Sequence, residues 1–149
     1  MDSQKGSNTL IGIAGVHYVV CELSRRGLIA LPTTRNTAGY DVIAVTQDGK
    51  KHANIQVKTS SHQSPGFWPV ATRVESIRRG PADYYVFLSG MQEKGTIQGY
   101  LLTGKDVLKE IRQHYRDKAF TAGKPFPYCL HLRDGARDQW EKDWISWTP

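Results

Sequence analysis

Behind Asn8 and Thr9, either of which can cap a helix, apolar residues recur at Leu10, Ile11, Ile13, Val16, Val19, Val20 and Leu23, and the run closes on Arg25, Arg26 and Gly27. This predicts a first helix. Its apolar positions, plotted at about 100° per residue, cover most of the circumference, so burial on most sides is expected, with Gly12 and Gly15 allowing close approach. Leu28 to Pro32 reads as a strand, and 33–39 as a polar loop. Tyr40 to Thr46 and Ala53 to Thr59 are β-rich runs on either side of Asp48-Gly49, a strong hairpin signal. After a polar stretch, Tyr84 to Leu88 and Ile97 to Leu102 are apolar enough to lie inside a covered sheet. Thr103 to Asp106 opens a helix that runs toward Tyr115, and Trp140, Trp144 and Trp147 fall at helical spacing, as a face docked on a core does. The pattern predicts an α/β fold: a central sheet of about five strands flanked by helices.

The hairpin has a chemical consequence. A two-residue turn at Asp48-Gly49 sets Asp41 opposite Gln56, and alternation puts Asp41, Gln56 and Lys58 on one face, with Tyr40, Val42, Ala44, Ile55 and Val57 on the other. A slip of one residue would force the apolar face into water. A carboxylate, an amide oxygen and an ammonium on one patch can cleave a phosphodiester: Asp41 and Gln56 as ligands of a hard divalent ion, Mg²⁺ or Mn²⁺, and Lys58 at the attacking water or the phosphate charge. The plainer alternative is a strand start, a neighbour-paired glutamine and a solvated lysine.

Composition narrows the class. At 149 residues, 39% hydrophobic and 23% charged, the chain reads as one soluble domain spanning 1–149, with 1–8 as a flexible start. No apolar run is long enough for a bilayer and no signal-peptide core is visible, so a cytoplasmic location without membrane is expected. Cys21 and Cys129 lie far apart in apolar surroundings and read as buried thiols rather than a disulfide. The net charge of +6 suits a polyanion. DNA is the expected partner, with Arg35, Lys50, Lys51, Arg78 and Arg79 as its contacts, and a homodimer is a further option. Three other signals fail. Gly99 to Lys105 spells G-x-x-x-x-G-K but continues with Asp106, not Ser or Thr; the five histidines lack zinc spacing; and no G-x-S-x-G elbow is present.

A helix closing on a glycine, the run Tyr40-Asp41-Val42-Ile43-Ala44, a glycine turn and Ile55-Gln56-Val57-Lys58-Thr59 together resemble the core of the PD-(D/E)XK superfamily, which includes restriction enzymes and archaeal junction resolvases. The stretch from Gly15 through Glu22-Leu23-Ser24-Arg25-Arg26-Gly27 resembles a small branch of it. The resemblance covers roughly the first sixty residues. It implies a restriction-endonuclease-like core, with a mixed central sheet of about five strands flanked by helices, and catalytic roles for Asp41, Gln56 and Lys58. Gln56 stands where the superfamily pattern has Glu, and Val16 where the resolvases carry a helix glutamate. Glu22, the one acid in the run from Asn8 to Arg26, is then either a substitute ligand or the partner of an arginine. Two readings follow: a metal-dependent DNA nuclease, or a domain that kept the fold, lost the chemistry and binds nucleic acid or a protein.

Overall fold

The computed structural model describes residues 2–34, 39–61, 66–92, 95–115, 127–131, 133 and 135–149, with side chains from Asn8 onward. A long helix α1 (Asp2–Arg25) leads into β1 (Ile29–Pro32), β2 (Val42–Val45) and β3 (His52–Thr59). Then come β4 (Phe67–Ala71), α2 (Val74–Arg78), β5 (Tyr84–Ser89), β6 (Gln98–Thr103), α3 (Gly104–His114), β7 (Tyr128–His131) and α4 (Arg137–Ser146). The main sheet runs β1-β2-β3-β5-β6, antiparallel except for the parallel pair β3–β5. A parallel pair needs a crossover connection, and the chain carrying β4 and α2 supplies it. This is the mixed five-stranded α/β architecture that the sequence predicts.

The sheet has two apolar faces, each with its own cover. On one, Val42, Ala44, Ile55, Val57, Val86, Leu88 and Leu101 pack with Val19 and Leu23 of α1. On the other, Tyr85, Phe87, Tyr100 and Leu102 pack with Val107 and Ile111 of α3 and with Trp68, Tyr128 and Leu130 of a small β4–β7 ribbon. The indole nitrogen of Trp68 donates to the Leu88 carbonyl at 2.9 Å, which satisfies a buried donor and pins the ribbon to the sheet. The helix α4 runs along β6 and serves both faces, with Trp140 in the second core and Trp144, together with Trp147 just past the helix end, in the first.

Several expectations change. The first helix is described from Asp2, ahead of the expected cap. It is buried along one stripe only: Val19 and Leu23 are fully covered, while Leu10 and Cys21 face outward. Cys21 is therefore an exposed thiol and Cys129 a half-buried one, because the apolar residues around Cys21 in sequence point elsewhere on the helix. Of the two glycines, Gly15 is the close contact, since a Cβ there would run into the Thr59 side chain, whereas one at Gly12 would meet nothing within 4 Å. The two-residue turn is a four-residue loop: Thr46 donates to the Lys51 carbonyl at 3.0 Å, and Asp48 accepts from the Thr46 hydroxyl at 2.7 Å and the Lys50 amide at 3.1 Å. The register is nevertheless the predicted one, with Val42 opposite Ile55 and Val45 opposite His52.

Candidate functional site

The β2–β3 ladder changes character at Asp41. Val42 and Ile55 face each other as regular partners, and the Asp41 amide also donates to the Ile55 carbonyl, at 2.8 Å. Beyond that point the chain turns toward β1, where the Thr33 amide and hydroxyl donate to the carbonyls of Asp41 (2.9 Å) and Tyr40 (3.0 Å). The next donor on β3, the Val57 amide, thus meets no backbone acceptor from this strand. The Asp41 carboxylate takes that place: its Oδ2 accepts from the Val57 amide at 2.8 Å and from the Gln56 Nε2 at 2.6 Å. Charge-assisted bonds of this length fix the carboxylate's rotamer. Its Oδ1 and the Gln56 Oε1 make no hydrogen bond among the described residues.

Lys58 follows two positions along β3, on the same face as Gln56 and beside Phe87 of β5. Its ammonium makes no hydrogen bond or ion pair among the described residues. Burial lowers its pKa below the ordinary lysine value, and the negative charge of Asp41 opposes that shift. Asp41, Gln56 and Lys58 therefore gather as the hairpin arithmetic predicts.

Above Asp41 lies a cavity of about 500 Å³. Its floor is Asp41, Gln56 and Val57, one side is Pro32 to Thr34, and its roof is α1 at Thr9, Gly12, Ile13, Val16 and His17. Those five helix positions are one face of an α-helix, the i, i+3, i+4, i+7, i+8 pattern. Val16 thus faces the site, where the resolvase pattern would bring a glutamate. Glu22 does not line this cavity. Six residues past Val16, it stands about 9 Å further along the helix axis. There it pairs with Arg25 at 3.1 Å and Arg26 at 3.9 Å, the arginine-partner alternative for that residue.

His17, which the sequence offered only as one of five histidines without zinc spacing, lines this cavity one residue past Val16. The expected DNA contacts lie elsewhere. Lys50 and Lys51 sit at the loop end of the hairpin, about 20 Å from Asp41 at strand rise, and Lys50 pairs with Asp48 at 3.8 Å. Arg78, the last residue of α2, and Arg79, just past its end, pair with Glu75 at 3.5 and 3.0 Å. Arg78 also lines a second cavity of about 710 Å³ with His52 and Lys105. Arg35 lies outside the described residues.

A divalent ion at this site would rest on few donors. Among the described residues no three or more His, Cys, Asp and Glu side chains gather to hold a metal. Asp41 still offers an unengaged carboxylate oxygen and Gln56 an unengaged amide oxygen, and Mg²⁺ commonly binds one or two carboxylates and fills its shell with water and substrate phosphate. The donor set fits such an ion.

The five-stranded mixed sheet with helices on both faces is an architecture that nucleases use. One solved nuclease shares it: the structure of the bacterial homing endonuclease I-Ssp6803I covers 91% of this chain with 89% of its own, at a TM-score of 0.57 and 15% sequence identity. At that identity the likeness is one of fold. No protein-family model and no curated protein matches the chain. No helix among the described residues is long and apolar enough to cross a membrane.

Proposed function

We propose that this protein is a metal-dependent nuclease of the PD-(D/E)XK kind that hydrolyses phosphodiester bonds in DNA. One observation carries the reading: Asp41, Gln56 and Lys58 share one patch at the end of the hairpin, with one oxygen of each acceptor and the whole ammonium unengaged by other described residues. The shared fold with a homing endonuclease supports it. Asp41 and Gln56 would hold Mg²⁺ or Mn²⁺, whose chemistry is to stabilise charge on the phosphate and to acidify water. Gln56 acts also as a positioning residue, because its amide group clamps Asp41 in one rotamer. The Lys58 ammonium, with no internal acceptor to satisfy, donates to the attacking water or to a phosphate oxygen.

One observation favours the second reading, a nuclease fold that only binds. Asp41 closes the sheet ladder through the Val57 amide, so the fold has its own use for that carboxylate. The two readings separate in a cleavage assay on single-stranded, duplex and branched DNA with Mg²⁺ or Mn²⁺, comparing wild type with Lys58→Ala. Metal-dependent cleavage that Lys58→Ala abolishes supports the nuclease. DNA binding without cleavage by either protein supports the module.

A further inference from the structure

We propose that His17 is a third ligand of the Asp41 site, so that the site takes a borderline divalent ion such as Co²⁺ or Ni²⁺ in preference to Mg²⁺. This deepens the nuclease reading and rests on it. The imidazole stands in the roof of the cavity whose floor holds Asp41 and Gln56. It makes no hydrogen bond, ion pair or ring contact among the described residues, so its nitrogens are available. The helix is recessed beside it, since a Cβ on Gly12 would meet nothing within 4 Å, and its neighbour Val16 brings no donor.

The donors that face this space without an internal partner are then a carboxylate oxygen, an amide oxygen and an imidazole. The chemistry of that set decides the ion. All-oxygen sites suit Mg²⁺, whereas imidazole favours first-row transition metals, with affinity rising from Mn²⁺ through Co²⁺ to Ni²⁺. A site with a single carboxylate is weak for Mg²⁺, and a nitrogen ligand strengthens it selectively for the transition metals. His17 in this way offsets the two acids that the site lacks, at Val16 and Gln56.

The test uses the untagged full chain, freed of metal with a chelator and titrated with each ion alone. The readouts are thermal melting and, for Co²⁺, the visible absorption band, which responds to nitrogen ligation. Wild type should melt higher with Co²⁺ or Ni²⁺ than with equal Mg²⁺. His17 is exposed, so His17→Ala should fold as wild type does. Its Co²⁺ affinity should fall about tenfold or more, while the Mg²⁺ response stays within about twofold. The inference is overturned if His17→Ala binds Co²⁺ as wild type does while Asp41→Asn abolishes binding, an outcome that leaves the nuclease reading intact. It is overturned equally if no ion raises the melting temperature of wild type. The nuclease reading is then judged separately, by whether Asp41→Asn still cuts DNA.

Discussion

Replacing Asp41 with alanine removes the acceptor of two donors that differ in their access to water. The Gln56 amide is half-buried and can turn to solvent, so its loss is minor. The Val57 amide belongs to a residue only 8% exposed and would lose the acceptor it has. An orphaned buried donor costs about 1–3 kcal/mol. Removing the carboxylate also strips Lys58 of the charge that offsets its desolvation, which brings the expected loss to about 2–3 kcal/mol. For a chain of this length that is a fall of roughly 6–9 °C in melting temperature. Asparagine behaves differently, because its amide oxygen can stand where Oδ2 stands and accept both hydrogen bonds, with its NH₂ at the unengaged Oδ1 position. Asp41→Asn keeps the hydrogen bonds and gives up only the charge beside Lys58, so it should stay within about 1 kcal/mol of wild type while placing a donor where a cation would bind. Thermal and urea melts of the three proteins in chelator measure this. An alanine variant as stable as wild type, or an asparagine variant as unstable as alanine, would refute the ladder role of Asp41. If the role holds, only the asparagine variant gives a clean test of cleavage.

Gln56→Glu replaces a donor to Asp41 with a second carboxylate, so the metal-free protein should lose about 1–2 kcal/mol and regain more than wild type does when Mn²⁺ is added, as melting with and without the ion would show. Gly15→Ala drives a Cβ into Thr59 and should cost about 1–2 kcal/mol in a urea melt even after the gain in helix propensity; a stabilised variant would contradict the close approach of α1 to β3. His131 stacks on His114 with centroids 3.6 Å apart, and its pKa is lowered by burial and by His114. Its protonated form is therefore disfavoured in the fold, so stability should decline as pH falls below the ordinary histidine value of about 6.5. His131→Gln should flatten that decline in urea midpoints taken across the range. Binding to duplex DNA should weaken steeply with added salt and depend little on sequence, because its support is the net charge of +6; a salt-independent dissociation constant would count against it.

The β2–β3 register was legible because two signals agreed, the Asp48-Gly49 dipeptide and the alternation of Val42, Ala44, Ile55 and Val57. It survived an error in loop length for the same reason: burial of the alternating face sets register independently of the turn. Helix α3 was legible from its cap, where the Thr103 hydroxyl accepts from the Asp106 amide at 3.1 Å. The β4–β7 ribbon was not. Pro69 in the middle of Phe67–Ala71 argues against a strand, and the register does shift between Pro69 and Ala71. At the site, the three hairpin residues were readable from local geometry, whereas His17 depends on where α1 crosses the sheet, which no local pattern specifies. The outward position of Cys21 was hidden in the same way.

The placement of α4 bears on how the chain acquires its structure during synthesis. Gly99 of β6 has no side chain, and the Trp144 ring occupies the space where a Cβ would stand. Arg26, just past the end of α1, stacks on the same ring at 4.5 Å and donates to the Trp144 carbonyl. Trp140, meanwhile, completes the opposite core. Neither side of the sheet can thus be finished until 137–147 has left the ribosome, and a nascent chain halted before that point would present two unfinished apolar surfaces at once. Such chains are the natural clients of chaperones, and in a stalled-synthesis experiment protease resistance should appear in one step, when α4 emerges, and not strand by strand.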